Sequence, residues 1–170
     1  MAYNLFGEYF EDKQEYSNRL IAKGMTCDIL KVRYDFNVGK KDIRLFFDVA
    51  YSNYNNTKHK KLDVPGLYAI YDGIPSKDNC LYVGYSDKSC WTRIYRFMLE
   101  LLSIKRVDMR HSAAIKARKN NISPDNIHVI VLSRDNFPER KGHFVNVECL
   151  SDIDEYIAKK LKSRFNKVIK

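Results

Sequence analysis

The chain reads as an α+β protein, and three stretches carry that reading. Two short apolar runs, Leu67 to Tyr71 and Leu81 to Tyr85, flank a loop of turn formers (Asp72, Gly73, Pro75, Ser76, Asp78, Asn79). That is the pattern of a β-hairpin with a long connection. Trp91, Ile94, Tyr95, Met98, Leu101 and Leu102 then recur at helical spacing and give Ser89 to Ile104 an apolar face. Ile127 to Leu132, IHVIVL, is short and β-branched, which suits a central strand.

The 170 residues suffice for one domain, or for a domain with a sizeable extension. An apolar content of 45% is ordinary for a chain that buries a core. No run approaches the length of a membrane helix, and no charged-then-apolar leader is evident, so cytoplasmic residence is the default expectation. Cys27, Cys80, Cys90 and Cys149 show no paired spacing and no accompanying histidine pattern. They are expected as buried free thiols rather than disulfides or zinc ligands. Thirty Lys and Arg against 21 Asp and Glu leave a net charge of +9, which favours polyanionic partners. Its distribution is uneven. The span 156–170 has basic residues and no acid, whereas Glu8, Glu11, Asp12 and Glu15 near the start face only Lys13.

Taken in order, Leu5, Phe6, Tyr9, Phe10, Tyr16, Leu20 and Ile21 form an imperfect helical stripe over residues 5–22, closed by Gly24 at a C-cap. Cys27 to Phe36 alternates loosely and reads as a strand, followed by a turn at Val38 to Lys41. Ile43 to Tyr51 is apolar, and its periodicity fits helix and strand equally. Ser52 to Lys61, SNYNNTKHKK, is a polar, basic loop or linker that could also lie on a phosphate backbone. Beyond the first helix, His111 to Asn120 gives a second, shorter one with Arg110, Lys116, Arg118 and Lys119 around it. Asn121 to Asn126 is a turn containing Pro124, Arg134 to Gly142 a charged loop, and Phe144 to Val147 a short strand. Ser151 can cap a last helix with Asp152 and Asp154 in its first turn and Ile153, Ile157, Leu161 and Phe165 as its stripe. No internal repeat is evident.

The hairpin carries the chemistry. Gly66-Leu67-Tyr68 and Tyr82-Val83-Gly84 each set a tyrosine beside a strand glycine, and such a glycine marks a bulge or a close approach to the backbone. Ser86 to Ser89 makes a turn, and Arg93 stands in the first turn of the helix. The two tripeptides, Ser86 and the helix arginine together resemble the core of the GIY-YIG nucleases. RHSAAIKARKNN followed by IHVIVL resembles the second helix and third strand of the phage homing endonucleases in that family. The resemblance covers about residues 63–170. It implies a small three-stranded antiparallel sheet flanked by helices, with residues 1–62 as an N-terminal α/β extension that packs on the domain or helps recognise DNA. It also implies a metal-dependent DNA endonuclease of restriction, homing or phage type, acting most readily on double-stranded DNA, and leaves the oligomeric state open, a dimer included.

Phosphodiester hydrolysis needs an activated water, charge neutralisation on the phosphoryl oxygens and help for the departing oxygen. A hard divalent cation, Mg2+ or Mn2+, held on carboxylate oxygen supplies two of these. Free tyrosine, with a pKa near 10, is a poor base at neutral pH, and a neighbouring guanidinium lowers that value. By the resemblance Tyr68 acts as base, Tyr82 assists it, and Arg93 holds the scissile phosphate. His111 matches the histidine of the homing enzymes' second helix, where it would contact phosphate or shuttle a proton. Many family members carry another histidine four residues after the arginine; here that position is Phe97. Asn166 matches the family's asparagine near the end of the last helix. The metal ligand is then Asp154 by register with Asn166, or Glu155 by chemical type, and the two remain alternatives. Gly84, Ser86, Arg96, Arg110, Lys116, Arg118, Lys119, Lys159 and Lys162 are expected along the DNA. A catalytically degenerate nucleic-acid-binding protein on the same scaffold is the competing reading. No zinc-finger or helix-turn-helix signature suggests a sequence code.

Overall fold

The computed structural model describes residues 29–36, 42–49, 62–75, 78–104, 111–133 and 163–166. The expected N-terminal helix, the 38–41 turn, the 52–61 loop, the 134–147 segments and the body of the last helix lie outside these residues. So do Arg110, Asp154, Glu155, Lys159 and Lys162.

Strands β1 (Leu30–Phe36), β2 (Ile43–Val49), β3 (Gly66–Asp72), β4 (Cys80–Ser86) and β5 (Ile127–Ser133) make one antiparallel sheet in the order β2-β1-β5-β3-β4. Helices α1 (Cys90–Leu101) and α2 (Ser112–Lys119) lie between β4 and β5 in sequence. The α+β class therefore holds. The sheet has five strands rather than the expected three. The additional pair is the β1–β2 hairpin from the stretch preceding residue 63, which joins β5 through Leu30↔Val129 and Lys31↔His128. Ile43, Leu45 and Phe47 are buried on alternate positions of β2, which settles the helix-or-strand ambiguity there. Phe46 between them had blurred the alternation.

β5 holds the middle of the sheet, as its β-branched sequence suggests. β3 pairs with β5 on one side and β4 on the other, so both of its edges are hydrogen-bonded, and Gly66 through Tyr71 are all buried. Tyr68 and Ile70 of β3 share a face with Val32, Phe47 and Val129, and pack against Ile94, Phe97 and Met98 of α1 and Ala114 and Ala117 of α2. Leu67, Ala69, Ile130 and Leu132 alternate to the opposite face and are equally buried. The register of β3 on β4 shifts between Ile70 and Tyr71, a bulge beside the Ile70–Tyr82 pair.

The β4–α1 turn is built from two serines. Ser86 Oγ accepts from the amides of Lys88 and Ser89, and Ser89, the N-cap, accepts from the Thr92 amide at 3.2 Å. The Cys90 and Trp91 amides donate to Val64 O and Leu62 O, so the chain entering β3 takes up two of the helix's orphan donors. Arg93 follows directly, with its side chain exposed. Both helices close with a residue of positive φ, Ser103 and Asn121, and with Ile104 N donating to Leu99 O and Ile122 N to Ala117 O. Those bonds satisfy carbonyls that the last turn leaves free. Among the described residues no helix is long and apolar enough to cross a membrane.

Candidate functional site

Antiparallel pairing of β3 with β4 sets Tyr68 opposite Gly84 and Tyr82 opposite Ile70, so the two tyrosines are diagonal neighbours on one face. Their ring centroids are 5.9 Å apart with planes inclined at 45°. A Cβ on Gly84 would run into the Tyr68 phenol and lie 2.7 Å from Tyr82 Cε1. A Cβ on Gly66 would run into the Leu132 carbonyl of β5. Each strand glycine thus marks a close approach, and the one at Gly84 is made by the phenol that the sequence singles out.

His111, at the N-cap of α2, folds back against this pair. Its ring meets Tyr82 edge-on at 5.0 Å and Phe97 edge-on at 5.4 Å. Phe97 thus forms one wall against the His111 ring. His111 is 9% exposed, and its Nδ1 is buried with no hydrogen-bond partner among the described residues. Burial, with the charges of Arg93 and Arg96 adding to it, pulls its pKa down to about 4, so the imidazole is neutral at pH 7. The charge of Arg93 also bears on Tyr68.

One sequence-based expectation is corrected here. Arg93 does favour the Tyr68 phenolate, but the hydroxyl is raised well above its ordinary value, chiefly by burial, with the neighbouring Tyr82 adding to the rise. Tyr68 is 1% exposed, and one guanidinium at a partly wetted site does not offset that desolvation. Tyr68 therefore keeps its proton in the free protein.

The remaining expected residues divide by what they touch. Asn166 spans the outer edge of β4: its Oδ1 accepts from Val83 N at 2.8 Å and its Nδ2 donates to Val83 O at 2.7 Å. Arg164 N and Phe165 N donate to Cys80 O and Leu81 O, and Ser163 Oγ also donates to Asn166 Oδ1. The amide thus fixes the residue between Tyr82 and Gly84 and holds both in place. Gly84 and Ser86 are buried, the one under Tyr68 and the other inside the turn. Arg118 reaches α1, donating to Glu100 O at 2.6 Å with the Glu100 carboxylate at 3.8 Å. Lys116 and Lys119 are exposed on α2. Cys80 and Cys90 are buried free thiols, both pushed up to about 12 by burial, whereas Cys27 and Cys149 lie outside the described residues. No group of three or more His, Cys, Asp or Glu that could hold a metal ion is present among the described residues. The cation expectation rests on Asp154 or Glu155, and no step below is routed through it.

Sequence reasoning missed the contact of Phe97 with His111, and the bond from Tyr34 Oη of β1 to Asp125 Oδ1 at 2.9 Å, which ties the additional hairpin to the turn before β5. Neither has a local signal, because each joins elements distant in sequence. Comparison with protein-family models, with curated proteins and with solved structures finds no match to this chain.

Proposed function

We propose that the chain is a phosphodiester-cleaving DNA endonuclease of the GIY-YIG type, dependent on Mg2+ or Mn2+. The observation that supports it most is the gathering of Tyr68, Tyr82, Arg93 and His111, from two strands and two helices, at one place. Arg93 forms no ion pair there with a described residue. A guanidinium without a carboxylate partner is free for an anion, and it matches phosphate oxygens in geometry and charge. Arg93 holds the scissile phosphate and stabilises the charge that develops on it. Protonated Tyr68, with Tyr82 beside it, donates a hydrogen bond to a phosphoryl oxygen. Asp154 or Glu155 would hold the cation, which would supply Lewis-acid stabilisation when bound.

A second reading, a DNA-binding protein without cleavage, is favoured by one feature, the deep burial of Tyr68 with its proton retained. Incubating supercoiled plasmid with the protein and Mg2+ or Mn2+ separates the two. The nuclease reading expects nicked and linear products that EDTA abolishes. Stable DNA binding without nicking in either metal selects the second reading.

A further inference from the structure

We propose that Arg164 and the exposed side of α2 form a phosphate-binding row that holds the DNA strand running away from the tyrosines. The inference rests on the nucleic-acid reading above and adds to it a residue, a direction and a distance. Ser112, Lys116 and Asn120, each four positions from the next, line up along α2 and its C-cap, with Lys119 beside them. All four are exposed. Asn120 joins this row to a second segment of the chain. Its Nδ2 donates to Lys116 O at 2.7 Å, and its Oδ1 accepts from Arg164 Nη2 at 3.4 Å. Arg164 is anchored twice more. Its amide donates to Cys80 O at 3.0 Å, at the start of β4, and its guanidinium carbon lies 5.2 Å from the centroid of the buried Phe165 ring. The side chain is nevertheless exposed. A guanidinium held in this way loses less freedom when it takes a ligand than a free one does.

Charge decides what the row takes. Arg164, Lys116 and Lys119 form no ion pair with a described residue. The Glu100 carboxylate of α1 is answered by Arg118 at 3.8 Å, which removes Arg118 from the row and leaves the other three cations uncompensated by it. Lysines in the last turn of a helix are explained by its dipole alone. Arg164 is not, because it comes from the segment along β4 and meets the end of α2 only through Asn120. Cations gathered from two segments onto one exposed row suit the repeated phosphates of a strand. The row also has a fixed relation to the candidate site. His111, at the start of α2, touches the Tyr82 ring, and Asn120 closes the same helix. Nine residue steps of 1.5 Å set the two ends about 14 Å apart along the axis. At 3.4 Å of rise per nucleotide, Arg164 lies about four nucleotides from the phosphate held by Arg93.

The test uses the full chain, a double-stranded oligonucleotide and EDTA, with affinity measured across salt concentrations so that binding is read without cleavage. Arg164→Gln and Lys116→Gln should each weaken binding several-fold and lower the log–log slope by about 0.9, the loss of one phosphate contact. Arg33→Gln removes the same charge from β1, where Arg33 is paired with Asp48 at 2.6 Å, and should leave the slope unchanged. Equal losses in Arg33→Gln and Arg164→Gln would assign the effect to net charge and overturn the row, as would an unchanged slope in Arg164→Gln. If Arg164→Gln fails to fold, the slope of Lys116→Gln decides in the same way. Asn120 is a positioning residue, so Asn120→Ala should weaken binding in wild type and add nothing in Arg164→Gln. Fully additive losses would overturn that role. In the Mg2+ reaction Arg164→Gln should raise KM and leave kcat within about twofold, because the row lies beyond the chemistry; a kcat lower by about tenfold or more would overturn the placement. These binding losses without any nicking uphold the row while the nuclease reading fails, and wild-type protein that binds no DNA overturns the row.

Discussion

At the scale of single residues, the candidate site rests on a glycine, a buried phenol and a histidine that stays neutral at pH 7. Gly84 leaves room for the Tyr68 ring where any Cβ would collide with it. Gly84→Ala is expected to cost about 1–3 kcal/mol, the usual range for overpacking, and to reduce cleavage far more than DNA affinity. Denaturation midpoints beside nicking rates check this, and a fully active alanine variant would show that Tyr68 has slack. His111 makes the second residue-scale prediction. Its pKa is depressed to about 4 in the fold, against about 6.5 unfolded. Between those values the unfolded chain takes up a proton that the folded one refuses, so the stability present above pH 6.5 is lost as pH falls toward 4. The loss is on the order of 3 kcal/mol by pH 4. His128, buried and shifted the same way, adds to it. Replacing His111 by Gln should flatten the pH dependence of the urea midpoint over that interval, and an unaltered slope would mean that the ring is hydrated.

At the scale of elements, much was legible because the signals are local. The hairpin around residues 72–79 announced itself by turn residues, α1 by its apolar stripe, and β5 by its β-branched run. β2 was ambiguous because Phe46 fills the gap between the alternating Ile43, Leu45 and Phe47. The pairing of β1 with β5 left no trace in either sequence, since strand pairing is decided by which edges meet. The site divides the same way. Tyr68, Tyr82, Arg93 and His111 were read from motif and spacing and are brought together, but the state of the Tyr68 hydroxyl was misjudged. Burial comes from the whole fold, whereas a neighbouring arginine is visible in the sequence. Asn166 shows the same division: the residue stood out in the sequence, and its grip on Val83 did not. Removing that grip leaves an amide and a carbonyl of β4 unpaired at two bonds of about 1 kcal/mol each. Asn166→Ala should therefore destabilise by about 2 kcal/mol and speed hydrogen exchange at Val83 N. Asn166→Asp, which keeps the acceptor, should leave Val83 N protected. Equal protection in all three proteins would mean that the clamp is dispensable.

At the scale of the molecule, a five-stranded sheet carries the tyrosines near one end and the β1–β2 hairpin at the other, with α1 and α2 over one face. The net charge of +9 gives the whole chain an attraction for polyanions that depends on salt and not on sequence. DNA binding should accordingly weaken linearly in log–log form between low and physiological salt, and a slope near zero would assign the basic excess to another purpose. The nuclease reading asks more of one group. The charge of Arg93 bears on both Tyr68 and His111, and a charge that acts on the transition state is worth far more in rate than in affinity. The decisive measurement is single-turnover cleavage of a plasmid in Mg2+ by wild type and by Arg93→Ala, with DNA affinity measured in parallel. A rate lower by at least about 100-fold, with affinity within a few-fold, is the expected result. Cleavage by Arg93→Ala within about threefold of wild type would contradict it.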